Sequence, residues 1–176
     1  MKVVMIRHTR VGVAPGTCYG WSDVPLADTF ADEARATAEN LRRQEPFDAV
    51  FSSPLSRAVR LAEACGYDNP HKDDRLKEMN MGDWEMRRYD EIDDPHLQEW
   101  YEDYMNERTT NGECFDDIYR RVACFLDELR QKDYASVAIF AHAGVLICGG
   151  IYAGLFAKDN CFDHQTPYGG IQVMEI

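Results

Sequence analysis

The sequence predicts an α/β domain built on a mostly parallel sheet. Three short runs, at residues 2–6, 49–51 and 137–140, have the nearly continuous apolar character of strands that are buried on both faces. Amphipathic stretches separate these runs, as expected of helices that cross over between parallel strands. The chain has 176 residues, 45% of them apolar, which predicts a single domain, 1–176, with one substantial core.

The composition restricts the class of partner. A net charge of −12 argues against nucleic acid and against an anionic membrane, whereas a small anionic substrate stays open if particular arginines build a locally positive pocket. The chain opens without the charged and apolar regions of a signal peptide. The absence of any Cys-x-x-Cys pair argues against a zinc site or a disulfide framework and favours reduced thiols, so we expect a cytoplasmic protein. The six cysteines are Cys18, Cys65, Cys114, Cys124, Cys148 and Cys161.

One uncharged stretch, residues 134–157, is long enough to span a bilayer. It contains His142 and four glycines, however, and its charged flanks show no positive-inside asymmetry. We therefore interpret it as a buried strand followed by a buried helix.

The first half of the chain begins with the strand at 2–6. Residues 11–26 are rich in glycine and proline and form a loop, in which Tyr19 and Trp21 could wall a pocket. An amphipathic helix is predicted over 28–45, followed by the strand at 49–51.

A helix start is predicted just after the second strand. Ser53 is a good N-cap and Pro54 a good first helical residue, and the helix is expected to end near residue 66. Arg57 then falls near the first turn, where free amides attract anions, although a solvent-facing arginine is an equally good reading of this position alone.

The second half begins with a polar turn at 70–74 and a short strand or extended segment at 75–79. Residues 87–112 are acidic and aromatic and are predicted to form a cap insert with a helix at 96–107. The later elements are helices at 115–131 and 145–156, a strand at 137–140 that leads into His142, and a last strand at 171–176.

Arg7, His8, Arg57 and His142 all follow predicted strands. Since right-handed crossovers bring the carboxyl ends of parallel strands to one edge, we expect these four side chains to converge. Two fixed positive charges and two imidazoles suit a phosphoryl group, which arginines can bind and a neutral histidine can attack.

Four ordered motifs resemble those of the histidine phosphatase superfamily: RHT at 7–9, SPLSRA at 53–58, LKEMNMGDWE at 76–85 and AHAGV at 141–145. The resemblance implies a phosphoglycerate-mutase-like fold, a three-layer αβα sandwich. Three further runs are most similar to alpha-ribazole phosphatases of cobalamin synthesis: CYGWSDVPL at 18–26, NMGDWEMR at 80–87 and TNGE at 110–113. The chain departs from the family at Thr9 and Phe30, where glycines are usual.

The resemblance implies a phosphomonoesterase that needs neither metal nor cofactor and acts on a small phosphate monoester. His8 would attack phosphorus to form a phosphohistidine, while Arg7, Arg57 and His142 hold the phosphoryl oxygens. Glu78 would protonate the leaving oxygen and later activate water, although by itself it reads as a solvated acid.

A second set of residues is expected to bind substrate. The aromatic members could stack on a flat base, although such residues are more often core, and Glu113 is explained equally well as a helix-start acid. The set comprises Thr9, Tyr19, Gly20, Trp21, Trp84, Asn111, Glu113 and Ala143.

Alternatives stay open at this point. Within enzymes they are a broad-specificity phosphatase or a phosphoglycerate mutase, the mutase being disfavoured by the short chain. Outside enzymes, the alternative is an idle protein that binds a phosphorylated ligand. A homodimer is an open alternative to a monomer.

Overall fold

The computed structural model describes all residues, Met1–Ile176, and is organised around one five-stranded sheet. The strand order is β3-β2-β4-β1-β5. The strands are β1 (Lys2–Arg7), β2 (Ala49–Ser52), β3 (His71–Lys72), β4 (Ser136–Ala141) and β5 (Ile171–Glu175).

Four of the strands are parallel, and only β5 runs antiparallel, along the free side of β1. Arg7 at the end of β1 pairs with Ala141 at the end of β4, and Ser52 at the end of β2 pairs with Phe140. The residues that follow these three strands therefore emerge at one edge of the sheet, as the crossover argument predicted.

Helices cover both faces of the sheet. Those that do so are α1 (Phe30–Arg42), α2 (Ser56–Ala64), α4 (Phe115–Leu129) and α5 (Ala143–Tyr152), whereas α3 (His96–Glu102) packs on a separate cluster around Trp84. Alternate residues of β1 point into two separate cores. Val4 and Ile6 pack with α1 and α2, whereas Val3 and Met5 pack with α4 and α5. The predicted α/β class and its three-layer αβα arrangement are confirmed.

The uncharged stretch forms β4 and then α5, as predicted. Residues 137–141 are fully buried in the sheet, and α5 contributes Val145, Leu146 and Cys148 to the core beneath it. No helix in the chain combines the length and the apolar character that a membrane crossing requires.

The predicted start of α2 is wrong. Leu55, in an extended conformation, is the residue before the first turn, so the helix begins at Ser56 rather than at Pro54. The Ser53 hydroxyl does accept from the amide of Leu55 at 3.3 Å, but Leu55 itself is extended, so helical geometry starts only after it. Arg57 remains in the first turn.

Other predicted bounds differ from the structure. The polar residues at 71–72, predicted as part of a turn, form the edge strand β3. Helix α5 begins at Ala143 and ends at Tyr152, earlier than the predicted 145–156. The segment at 75–79 was predicted as a strand or an extended segment: it contains no strand, starts within a 3₁₀ turn, Asp74–Leu76, and is extended at Lys77. Helix α3 ends at Glu102 rather than at 107, because Asp103 leaves helical geometry and its carbonyl accepts hydrogen bonds from the amides of Asn106 and Glu107.

The predicted insert, 87–112, packs on the loop that follows β1. Trp84, just before the insert, is fully buried in a small separate cluster with Cys18 and Ile92, and its Nε1 donates to Asp94. That the insert acts as a cap stays a prediction.

Candidate active site

His8 stands immediately after β1, and its backbone is fixed on both sides. Its amide donates to the carbonyl of Ala141 at 3.0 Å, and its carbonyl accepts from the amide of Gly169 at 3.1 Å. The His8 Nδ1 lies 2.7 Å from the carbonyl oxygen of Thr9. Since a carbonyl can only accept, Nδ1 carries the proton, which leaves the lone pair on Nε2.

The environment of His8 keeps its imidazole neutral. The side chain is almost completely buried, and burial, followed by the positive charge of Arg57, lowers its pKa from 6.5 to about 3. The hydrogen bond to Thr9 opposes this shift, and the charge of Arg7 adds to it. Near neutral pH the unprotonated Nε2 is therefore available as a nucleophile.

Arg57 is fully buried, which rules out the solvent-facing reading of this residue. Its Nη1 donates to the carbonyl of Ser22 at 3.0 Å, and its Nη2 donates to that of Gly20 at 2.6 Å. The guanidinium carbon lies 5.3 Å from the centre of the Tyr19 ring. The loop after β1 thus holds the Arg57 guanidinium in place next to the start of α2.

Arg7 is held by the segment that precedes β5. Its Nη1 donates to the carbonyl of Thr166 at 2.7 Å, and its guanidinium lies 4.0 Å from the centre of the Tyr168 ring. The Nε atoms of Arg7 and Arg57 are buried and have no protein partner. The two arginines therefore keep N–H donors that an anion can use.

His142 precedes α5 and is fully buried, with its ring centre 5.2 Å from that of His8. Its Nε2 lies 2.8 Å from the Ser53 hydroxyl, which already accepts from the amide of Leu55 at 3.3 Å. In the tautomer in which the hydroxyl donates to Nε2, the imidazole proton lies on the unpartnered Nδ1 and can face an anion. Burial first, and then Arg57, holds the pKa of His142 well below its usual range. The result is a neutral N–H donor beside His8.

The carboxyl of Glu78 packs against the start of α5, the helix that His142 precedes. Its Oε2 accepts from the amide of Gly144 at 3.2 Å, and its Oε1 accepts from the amide of Met79 at 3.0 Å. A side chain at position 144 would displace this carboxyl, because a Cβ there would lie 2.4 Å from Glu78 Oε1. The close approach of this carboxyl to α5 therefore requires glycine.

A cavity of about 500 Å³ extends from Glu78 and the first turn of α5. Glu78 is its only charged lining residue. Tyr19 lines it too, and the Tyr19 hydroxyl lies 3.1 Å from that of Tyr168. The rest of the wall is mainly apolar and aromatic: Met79, Met81, Tyr89, Trp100, Tyr101, Tyr104, Phe115, Ile118, Ala143, Gly144, Ile147, Phe162 and Gln165. Such a pocket fits a flat, uncharged group.

Five of the eight expected substrate-binding residues lie at or next to this site. Tyr19 and Ala143 line the cavity. The Gly20 carbonyl holds Arg57, and Trp21 donates from Nε1 to the carbonyl of Glu78 at 2.7 Å. Thr9 is fully buried, with a carbonyl that orients His8 and a hydroxyl that has no partner.

The structure places the other three elsewhere. Trp84 is buried in the cluster beside the insert, so its ring has no free face for a substrate. Asn111 donates its side-chain amide to Asp83 at 2.7 Å. Both Glu113 oxygens are engaged, by Arg121 and by the amide of Asn80. The family motif marked these segments, but side-chain direction could not be read from it.

Glu85 was not among the expected site residues, yet it organises the loop after β1. Its carboxylate accepts from the amides of Gly20, Trp21 and Ser22 at 2.7 to 3.0 Å. Burial acts to raise the pKa of Glu85, but hydrogen bonds from the same three residues outweigh it and lower the pKa. The Gly20 and Ser22 carbonyls are thereby presented to Arg57.

Ser53, Arg121 and Tyr168 were missed as well. Ser53 was predicted only as an N-cap and not as a partner of His142. Arg121 is one of several polar residues on the exposed side of a regular helical pattern. Tyr168 lies in a loop without periodicity. No group of three or more His, Cys, Asp or Glu side chains is arranged to hold a metal ion.

Comparison with known proteins identifies the same fold and family. The model of the histidine phosphatase superfamily, branch 1, matches residues 3–176. An adenosylcobalamin/alpha-ribazole phosphatase of Salmonella typhimurium is 36% identical over 155 residues, which are 83% of this chain and 76% of that protein. Phosphoserine phosphatase 1 of Hydrogenobacter thermophilus is 28% identical over 151 residues, 81% of this chain and 71% of that protein. The crystal structure of the alpha-ribazole phosphatase from Shigella flexneri superimposes with a TM-score of 0.90 at 26% identity, covering 100% of this chain and 91% of that one.

Proposed function

The chain belongs to the histidine phosphatase superfamily and is a phosphatase, and from this premise we propose that it hydrolyses alpha-ribazole 5′-phosphate or the corresponding cobalamin phosphate. The reaction would belong to the assembly of the cobalamin nucleotide loop. It proceeds through a phosphohistidine at His8 and uses side chains of this chain alone.

In the first step, Nε2 of His8 attacks phosphorus in line with the ester oxygen. The N–P bond forms as the P–O bond to the ribose breaks. Arg7, Arg57 and the Nδ1 proton of His142 bind the remaining oxygens, where charge is spread in the transition state. Support comes from the burial of these groups and from their unpartnered N–H donors.

Glu78 serves both steps. As the P–O bond breaks, its carboxyl gives a proton to the ribose oxygen, and the resulting carboxylate then removes a proton from the water that hydrolyses the N–P bond. Its location supports this role, because Glu78 is the charged residue at the junction of the cavity and the start of α5.

The cavity is the observation that carries the substrate assignment. A benzimidazole is flat and uncharged and can stack on the aromatic wall formed by residues such as Trp100, Tyr104 and Phe162. A phosphoserine or a phosphoglycerate would instead bring a second negative charge into a wall whose only charged member is the acid Glu78. The cavity thus favours an aromatic nucleoside phosphate.

Steady-state kinetics test the assignment. The value of kcat/KM for alpha-ribazole 5′-phosphate should exceed the values for phosphoserine, 3-phosphoglycerate and simple sugar phosphates by more than about tenfold, or about 1.4 kcal/mol. A smaller preference would instead identify a broad-specificity phosphatase.

Phe162→Ala provides a test of the cavity itself. Phe162 is about 41% exposed, so its loss should raise KM for alpha-ribazole 5′-phosphate with little effect on stability. Leu155→Ala is a matched control, since Leu155 is similarly exposed, at 48%, and does not line the cavity. Equal kinetics for the two variants would remove the cavity from the binding site.

The proposal also includes a cytoplasmic location and, as an alternative to a monomer, a homodimer. All six cysteines are unpaired, which supports a reducing compartment such as the cytoplasm. The homodimer can be tested directly by sedimentation at several protein concentrations.

A further inference from the structure

The segment that carries Glu78 has no regular secondary structure. It runs between two short 3₁₀ turns, Asp74–Leu76 and Gly82–Trp84, and residues 77–81 belong to neither helix nor strand. Neighbouring strands or helical turns therefore do not fix the position of the Glu78 backbone. Other groups must satisfy its carbonyls and hold it against α5.

Arg121, on α4, provides most of that support. Its Nη1 donates to the carbonyls of Arg75 and Lys77 at 2.8 and 2.6 Å. Its Nη2 donates to the carbonyl of Glu78 at 2.8 Å. One guanidinium thus ties together three backbone carbonyls in four consecutive residues, the last of which is that of Glu78 itself.

Glu113 completes the arrangement. Its Oε1 accepts from Arg121 Nε and its Oε2 accepts from Arg121 Nη2, both at 3.0 Å, which makes a two-point ion pair. Its Oε2 also accepts from the amide of Asn80 at 2.8 Å. Together Arg121 and Glu113 hold the chain on both sides of Glu78.

Every donor of Arg121 is in use. The guanidinium has five N–H groups in a planar fork, and the contacts to the three carbonyls and to Glu113 account for all five. Both side chains are largely shielded from water, at 16% and 17% exposure. A lysine has three donors on one nitrogen and cannot reproduce this pattern.

We propose that Arg121, oriented by Glu113, is a positioning residue. It holds the Glu78 carboxyl at the place from which that group protonates the leaving-group oxygen. Neither residue touches the substrate. The inference rests on the proposed role of Glu78 as the acid, and it predicts that damage to this pair affects the proton transfer rather than phosphate binding.

The test compares Arg121→Lys with Arg120→Lys. Arg120 is the neighbouring residue on α4, it is 73% exposed and it pairs with Asp116 on the surface, so it is a matched control. Two substrates of similar shape are used: phenyl phosphate, whose leaving group needs protonation, and 4-nitrophenyl phosphate, whose leaving group does not. Arg121→Lys should lower kcat for phenyl phosphate about tenfold more than for 4-nitrophenyl phosphate, with KM nearly unchanged. Arg120→Lys should change neither.

A double-mutant cycle separates positioning from general stability. In a Glu78→Gln background the acid is absent, so the further substitution Arg121→Lys should have almost no additional selective effect on phenyl phosphate. If the two effects multiply instead, or if Arg121→Lys slows both substrates equally, Arg121 does not act through Glu78.

Two measurements keep the outcome decisive. Should Arg121→Lys fail to fold by circular dichroism, Glu113→Gln serves in its place, because it keeps the shape of Glu113 while weakening the ion pair, and the same selective loss is expected. If Glu78→Gln itself slows both substrates equally, the proposed acid role is wrong. If Glu78→Gln is selective but neither Arg121→Lys nor Glu113→Gln is, the positioning role is wrong.

Discussion

The site has a phosphate half and a leaving-group half, and they are built differently. In the phosphate half, Arg7 is the last residue of β1, His8 and His142 directly follow β1 and β4, and Arg57 lies in the first turn of the helix after β2. In the leaving-group half, Glu78 and most of the cavity wall come from irregular segments and from the insert. Regular backbone geometry positions the first half, whereas individual side-chain hydrogen bonds position the second.

His8→Ala should have the largest effect, because it removes the nucleophile. We expect kcat to fall by more than about 10³-fold and transfer of labelled phosphate to the protein to disappear. An acid-labile label that survived this substitution would place the nucleophile elsewhere.

Arg57→Lys should lower kcat/KM by about 10² to 10³-fold, the usual loss when a transition-state donor is removed. A lysine has a single nitrogen and cannot donate to the Gly20 and Ser22 carbonyls and to the phosphate at the same time, as the planar guanidinium can. Unlike a change at Glu78, it should slow phenyl phosphate and 4-nitrophenyl phosphate alike. A selective loss would break the division into two halves.

Glu78→Gln should slow alpha-ribazole 5′-phosphate by about 10²-fold and 4-nitrophenyl phosphate much less. The amide keeps the size of the side chain and can still accept from Gly144. Rapid-quench measurement of phosphohistidine formation with each substrate gives the two rates directly. Equal slowing would mean that Glu78 does not donate the proton.

The phosphate half should lose stability as the pH falls. The native pKa of His8 is about 3 and its ordinary value is 6.5. Between these values the unfolded chain binds the proton first, so the free energy of unfolding should decrease from pH 6.5 towards pH 3. Denaturant unfolding of the wild type and of His8→Ala checks this, since the variant should show a shallower decline over that window.

The stability of the insert should change with pH in the opposite direction: it should fall as the pH rises, and by a smaller amount. Hydrogen bonding to Glu99, and then to the carbonyl of Arg108, raises the pKa of His96 above its usual value of 6.5. This contribution is complete below pH 6.5 and is lost as the pH rises through the raised pKa. The rates of amide hydrogen exchange in residues 87–112 should therefore rise from pH 6 to pH 8 by more than the intrinsic pH dependence of exchange accounts for. His96→Gln should abolish this additional rise.

The same division explains what the sequence could predict. His8, Arg57 and His142 were assigned correctly to one sheet edge because strand ends converge by topology, which the order of apolar runs reveals. The roles of Trp84 and Glu113 could not be predicted, because a motif marks a segment but does not say which way a side chain points. Arg121 was missed because three of its five contacts are to backbone carbonyls, which have no signature in the sequence.

The helix boundaries show the same limit. The start of α2 was misplaced because Leu55 is extended although the Ser53 hydroxyl accepts from its amide, so the capping signal stands two residues before the helix begins. The length of α3 was overestimated because polar turn contacts at Asp103 outweigh a weak helical pattern. Long apolar periods, as in α4, were predicted to within two residues.

The contact between Tyr19 and Tyr168 has a kinetic consequence. The two hydroxyls lie 3.1 Å apart, the rings lie over Arg57 and Arg7, and His8 beneath them is only 2% exposed. We expect a phosphate group to reach His8 only after this pair has parted, in which case association is controlled by an internal opening rate rather than by diffusion. The expected signature is a kcat/KM value that does not change when sucrose thickens the solvent.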